Sequence, residues 1–202
     1  MGIEKKMELS EAVMKRRMVR NFTEDAVPDE DLNRILELAL HAPSAGFSQG
    51  WSFVVVRDEK RRKEIGRIQG EDDHYVGIFG NFVSKAPVLV VACTNEQVYH
   101  RRYREPDKID QDGKEVDWPT PYWFFDVGAA TMIILLAVVD MGYAAAFTGT
   151  SDPDGIKKLL GIPSEYHPVG VISIGKGAKD KKSPSLKRGR KGLDQVVHYE
   201  KW

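Results

Sequence analysis

Lys15-Arg16-Arg17-Met18-Val19-Arg20-Asn21-Phe22 places four cations within six residues and follows them with an amide and an aromatic ring. Guanidinium groups match phosphate oxygens in a bidentate fork, which favours Arg over Lys where an anion has to be held in a fixed orientation. The stretch therefore has the charge and the geometry of a phosphate site, although from charge alone a solvated basic helix face is the more ordinary reading. Ser10 can cap a short helix running through Glu11, Val13 and Met14 to about Arg17, so the cations fall at a helix end.

Working outward, Pro28 opens a second helix that sets Leu32, Ile35, Leu36 and Ala39 on one face and stops at Pro43. Trp51–Val56 and residues 87–93 and 169–174 are short apolar runs rich in Val, bounded by Gly, Pro or charges, as strands buried on both faces are. Between the first two, Glu59–Ile68 reads as a polar helix and residues 70–80, rich in Gly, Asp and aromatics, as a loop or lid. Residues 101–121 carry three prolines and many charges without sustained periodicity, which predicts a long excursion. Residues 126–141 form an apolar helix ended by Gly142, and Asp152-Pro153 opens another that Gly161 closes. Strands alternate with helices, so the class is α/β or α+β. From Lys179 the chain has loop composition until a last apolar-containing piece, residues 193–202.

A chain of 202 residues fits one domain, and 42% hydrophobic residues suffice for a real core. The 30 Lys+Arg match the 30 Asp+Glu, so any charge argument has to be local and no nucleic-acid partner is expected. Residues 176–191 hold eight Lys or Arg against one Asp, but no aromatics that could stack on bases interrupt them. Gly170, Gly175 and Lys176 approach the phosphate-loop spacing, yet Gly177 replaces the required hydroxyl and residues 171–174 read as strand rather than loop. No GxGxxG occurs, the five His lack metal-ligand spacing, and Ser44 has no GxSxG setting, which argues against a dinucleotide fingerprint, a metal site and a serine hydrolase. Cys93 is the only cysteine, in an apolar run that reads as core. Residues 1–7 lack an apolar signal core, and the thirteen apolar residues 127–139 fall short of the roughly 17 to 25 a membrane span needs, so a cytoplasmic protein without a membrane partner is expected.

Taken together, residues 16–22, Val27-Pro28 and Ala42-Pro43-Ser44-Ala45-Gly46-Phe47-Ser48-Gln49-Gly50-Trp51 resemble the opening of the nitroreductase family in order and spacing. The likeness runs on through the Asp126 helix, Phe147-Thr148-Gly149, residues 168–175 and the basic C-terminal segment; only residues 70–121 match poorly. It implies an α+β nitroreductase-like fold: a central mixed β-sheet flanked by helices, one domain over residues 1–202, with 70–121 a variable excursion. It also implies an entwined homodimer, with the Asp126 helix at its core and residues 193–202 extending onto the partner. FMN is the implied cofactor. Arg16, Arg17, Met18 and Arg20 correspond to the family's phosphate and polar-tail contacts, and Arg188 and Arg190 to late basic residues that return to the phosphate, Arg190 first. Pro43, Ser44, Ala45, Phe47 and Gln49 correspond to the loop lying against the partner subunit's flavin, and Thr148-Gly149 to the backbone approaching flavin N5. Phe47 stands where the family often has Asn, and Gly50 where it often has Pro.

The activity that the resemblance implies is ping-pong: NADH or NADPH reduces the flavin, and a small-molecule acceptor such as a nitroaromatic or quinone reoxidises it. No catalytic side chain is required. Tyr122, Trp123 and Phe124 read either as the substrate side of the site or as core aromatics leading a helix. Ala-Pro-Ser-Ala-Gly-Phe also resembles the flavin-cleaving dimethylbenzimidazole synthases, reductive dehalogenases are further relatives that residues 70–121 could mark, and a non-catalytic FMN-binding or storage module has the same binding residues.

Overall fold

The computed structural model describes residues 7–72 and 80–202. In chain order its elements are α1 (Leu9–Lys15), α2 (Asp29–Ala39), β1 (Trp51–Val56), α3 (Glu59–Ile68), α4 (Phe82–Lys85), β2 (Val88–Thr94) and α5 (Glu96–Tyr103). They continue with α6 (Tyr122–Asp140), β3 (Ala144–Gly149), α7 (Pro153–Leu160) and β4 (His167–Gly175). Most of the lid predicted at residues 70–80 lies outside the described residues.

The four strands form one sheet in the order β1-β2-β4-β3, and every neighbouring pair is antiparallel. The expectation of a mixed sheet is thereby corrected: among the described residues the parallel pairing is a single bridge between Met18 and Ala145. The apolar runs owe their burial to helices on both faces, which does not require parallel neighbours. Because successive side chains alternate across a strand, β2 sends Val88 and Val90 to one face, with Ala145, Ile172 and Ile174, against Leu32 and Ile35 of α2 and Ile134 and Val138 of α6. It sends Leu89, Val91 and Cys93 to the other, with Ala146 and Val171, against Ile65 of α3, Phe82 and Val83 of α4, and Ile156 of α7. The edge strand β1 is covered less completely and leaves Val55 exposed, contrary to the reading of full burial.

Local signals explain several boundaries. Asp58 accepts from the amide of Arg61 and starts α3; Asp152 accepts from Gly155 and starts α7, which ends at Gly161 in the left-handed region. The four-residue α4 has no cap of its own, and the buried carboxylate of Glu71 supplies one, accepting from the amides of Val83 at 2.5 Å and Ser84 at 3.2 Å. Gly66 leaves room for that carboxylate, since a Cβ there would sit 2.1 Å from Glu71 Oε2. Ser10, by contrast, lies inside α1, whose N-cap is Glu8 without a side-chain bond.

Helix α6 starts four residues before the predicted Asp126 and runs for 19 residues. By length and composition alone it could cross a bilayer, but half of its most apolar window is buried inside the chain, against α2 and the sheet. Phe125 and Met132 face outward.

Candidate active site

Beyond Lys15 the backbone leaves the helix and runs extended along β3. The Val19 amide donates to the Ala145 carbonyl at 2.9 Å, and the Phe147 amide meets Met18 Sδ at 3.3 Å. Farther on it pairs with the exit of β4: Thr23 N–H donates to Lys176 O, Ala178 N–H to Asn21 O, and Asn21 Nδ2 to Lys179 O. The start of the second basic run is thus zipped to the first. Its one acidic residue, Asp180, has a buried carboxylate that accepts from Arg17 Nη1 at 3.2 Å and the Arg20 amide at 3.1 Å. The Arg20 guanidinium lies 5.9 Å from the Phe82 ring centre, and Lys15 pairs with Glu11 on the exposed face of α1. Arg16 is half-buried and forms no ion pair with any described residue. Arg188 and Arg190 are exposed in the tail, and no hydrogen bond or ion pair among the described residues joins them to this cluster.

Thr148 and Gly149 are the last two residues of β3. Four residues of strand separate Ala145, beside the arginines, from Gly149, about 13 Å at the usual rise. Gly149 is open: a Cβ there would touch nothing within 4 Å. Gly170, its partner on β4, has no such freedom, because a Cβ would come to 2.5 Å of the Phe147 ring and 2.6 Å of the Thr148 carbonyl. The hydroxyl oxygens of Thr148 and Thr150 are buried without a hydrogen-bond partner. Such groups are uncommon in folded proteins, and here two of them flank the open Gly149. From α3, Gln69 reaches this end of the strand; its Nε2 donates to Gly149 O at 2.9 Å and its Oε1 accepts from Ser151 N–H at 3.3 Å.

Residues 43–49 form a loop around the single 3₁₀ turn Ala45–Phe47. Buried Asp126 of α6 accepts from the Ala45 amide, and Ser44 Oγ from the Gln49 amide, both at 2.9 Å. Phe47 and Gln49 have φ of +59° and +53°, a left-handed conformation uncommon for residues other than glycine. Phe47 is nevertheless 75% exposed and Pro43 is exposed beside it. Two glycines seat the loop on α5: a Cβ on Gly46 would stand 2.7 Å from the Tyr103 ring and one on Gly50 2.3 Å from the Tyr99 ring. Arg102 Nε donates to Gly46 O at 2.9 Å, while its two Nη atoms bind Asp107 bidentately at 2.7 Å and hold that carboxyl down to about 2.

The region expected to be one long excursion from residue 101 begins instead with the end of α5, capped by Asn95. Residues 104–121 then fold back onto it. Trp118 sits among Tyr103, at a centroid distance of 4.5 Å, and Tyr99, His100, Tyr122 and Trp123 at about 6 Å. Its indole N–H donates to Glu115 Oε1 at 2.7 Å. His100 bridges Glu115 and Glu96, and the bond from Glu115 holds the imidazole above its usual range. Burial opposes ionisation of Glu115, but bonds from His100, Trp118 and Arg104 hold its carboxyl below the usual range. Of the three helix-leading aromatics, Trp123 is buried beneath Trp118, whereas Tyr122 and Phe124 are partly exposed.

The sequence profile of the Nitroreductase family matches residues 13–176. The chain belongs to the nitroreductase family. A protein of Archaeoglobus fulgidus named as an NADH dehydrogenase/NAD(P)H nitroreductase is 30% identical over 93% of this chain and 94% of its own length. An iodotyrosine deiodinase of Haliscomenobacter hydrossis is 27% identical over 91% of this chain and 85% of its own. Among solved structures, an iodotyrosine deiodinase bound to FMN and 3-iodo-L-tyrosine superposes with a TM-score of 0.73 at 23% identity, covering 96% of this chain and the whole of that one. It shows a shared nitroreductase-like α+β fold.

Within that family frame, the geometry adds residues that the sequence left unmarked. Asp180 reads as a solvated charge in a basic tail, Arg102 as one cation among many, and Gln69 as a polar helix end; only the three-dimensional contacts single them out. Asp126 was placed as the start of a helix, and its role as the anchor of the Ser44 loop has no sequence signature.

Proposed function

We propose that the protein is an FMN-dependent oxidoreductase in which NADH or NADPH reduces the flavin and a small acceptor, such as a nitroaromatic or quinone, reoxidises it. The observation that carries this reading is the shared strand. The arginine segment is hydrogen-bonded to Ala145 at one end of β3, while the other end presents open Gly149 between two buried, unpartnered threonine hydroxyls. A phosphate at Arg16 and Arg20 and a polar ring edge at Thr148 and Gly149 would be served by one rigid element. These residues fit FMN: guanidinium groups for its phosphate, and for its ring a glycine that allows close approach. Bound there, FMN would supply the hydride and electron chemistry. The chain's own groups would hold it, orient it and offer hydrogen bonds to the charge that develops on its ring.

The site is proposed to be completed by a second copy of the chain. Leu9 and Met14 on α1, Phe125 and Met132 on α6, Phe47, and the tail residues Leu193, Val196, Tyr199 and Trp202 are all exposed apolar side chains. Large apolar side chains left in water on α1, α6 and the tail support a homodimer with residues 193–202 laid across the partner. Truncation after Gly192 is expected to weaken dimerisation and FMN retention together; a truncated chain that stays dimeric and keeps FMN would refute the role given to the tail.

One observation favours a second reading of the acceptor. The packed roof of Trp118, Tyr103 and Tyr122 beside the Ser44 loop suits an aromatic substrate, and deiodinases are among the relatives, so reductive dehalogenation of a halogenated phenol is the alternative to nitroaromatic or quinone reduction. The deciding experiment is anaerobic. The purified protein is reconstituted with FMN, its flavin absorbance is followed on adding NADH or NADPH, and the reduced protein is mixed with a quinone, a nitroaromatic and an iodophenol. Bleaching by nicotinamide and recovery with the first two supports the proposal. Reduction by dithionite alone, with recovery by the iodophenol, supports the alternative, and a protein that takes up no FMN refutes both.

A further inference from the structure

We propose that Gln69 is a positioning residue that clamps residues 149–151 and thereby presets the hydrogen bonds offered to the flavin ring; the inference rests on the flavin site proposed above. Gln69 is the C-cap of α3, and its own amide is fixed by a 2.9 Å bond to Ile65 O. From there its carboxamide crosses to a segment 80 residues away in sequence, giving a hydrogen bond to Gly149 O and taking one from Ser151 N–H. Ser151 Oγ returns a third bond, to Ile68 O at 3.1 Å. On the opposite side the stretch has the amide of Thr150 on Val169 O at 3.3 Å.

Only a side-chain amide serves both ends of this clamp. It offers a donor and an acceptor from one planar group, whereas a carboxylate at pH 7 has no donor for Gly149 O. Gly149 has no Cβ to limit its backbone, so the peptide linking it to Thr150 is fixed by its bonds at both ends, the amide on Val169 O and the carbonyl on Gln69. With its carbonyl held by Gln69 that peptide cannot flip, and the two threonines on either side of Gly149 stay with their hydroxyls buried and unpartnered. Preorganised donors of this kind stabilise charge developing on a reacting group without reorganisation at the moment of reaction. The clamp lies outside the arginine cluster, so cofactor affinity and cofactor reactivity are separable.

The experiment compares wild type with Gln69→Ala, Gln69→Glu and the volume-preserving Gln69→Met, each as FMN-loaded protein. It measures FMN affinity, midpoint potential and the rate of flavin reduction by NADH and NADPH in stopped flow. All three variants are expected to reduce about tenfold more slowly and at a lower potential, a fraction of the 10²–10³ that a direct donor supplies, with FMN affinity within about threefold of wild type. Gln69 variants that keep the wild-type rate and potential while holding FMN overturn the clamp and leave the functional proposal standing. A loss of FMN affinity in step with the rate would show a merely structural role and also overturn it. Wild-type protein that binds no FMN overturns both.

Discussion

Arg16 and Arg17 are adjacent and equally charged, yet the structure assigns them different weights, and Arg16→Ala against Arg17→Ala tests the phosphate site. Arg17 is 55% exposed on its side chain and already engaged by the buried carboxylate of Asp180, so its charge is committed inside the protein. Arg16 is half-buried and has no ion-pair partner among the described residues, so its charge is available to a ligand. A hydrogen bond to a charged group contributes about 1.5–3 kcal/mol, which at 1.4 kcal/mol per decade predicts FMN binding weakened roughly 10- to 150-fold in Arg16→Ala. For Arg17→Ala, whose charge Asp180 already neutralises, the loss should be at most about fivefold, or ~1 kcal/mol. Stability of the apoprotein should change by less than about 0.5 kcal/mol in Arg16→Ala, since no internal bond is lost. The assay is fluorescence quenching of FMN by apoprotein, run in parallel with riboflavin, which lacks the phosphate. Riboflavin affinity should be unchanged by either substitution. Equal losses for FMN and riboflavin, or a larger loss for Arg17→Ala, would refute the assignment.

Gly170→Ala should destabilise the fold by about 1–3 kcal/mol, because the added methyl meets the Phe147 ring and Thr148 carbonyl at overpacked distances, and a melting curve checks it. The His100–Glu115 pair gives a signed pH dependence. His100 is raised in the folded state, so its contribution is full below its unfolded value near 6.5 and is lost as pH rises through the folded one. Glu115 is lowered, so its contribution is full above about 4.3 and is lost as pH falls through the folded value. Quencher access to Trp118 should therefore increase on raising the pH above neutrality in wild type, and His100→Gln should abolish that dependence. Cys93 is 1% exposed and its thiol is pushed up to about 11 by burial, so a thiol reagent at pH 8 should modify it only after denaturation; rapid labelling of the native protein would contradict the core role.

The elements that were legible from sequence are those carrying chemical punctuation. Helices α3 and α7 have Asp caps, and α7 also has Pro153 and a closing Gly161, so their limits follow from local hydrogen bonding alone. Strand β3 was not legible because Ala144-Ala145-Ala146 has no strand preference. Tertiary context makes it a strand, through pairing with β4, while the small side chains let the Met18 segment approach Ala145. Helix α5 was missed for the opposite reason: its Asn95 cap is present, but Tyr99 is its one buried residue, so the apolar period that marks a helix is absent. For the proposed site, resemblance and charge single out the arginines and the Ser44 loop. The groups that hold them, Asp180, Asp126 and Arg102, act across 56 or more positions of sequence, and no local pattern encodes such pairs.

The anchors of the arginine segment and of residues 149–151 are separate from those of residues 104–121, and that separation bears on how one fold accommodates several reductions. The arginine segment is fixed to β3 and Asp180, the Ser44 loop to Asp126 and α5, residues 149–151 to Gln69, and residues 104–121 to Trp118, Glu115 and Arg102. Under the proposed function the first and third would serve the flavin, and the last would face the acceptor. Substitutions in residues 104–121 that leave Arg102 and Trp118 in place would then alter which oxidant is accepted without disturbing the flavin.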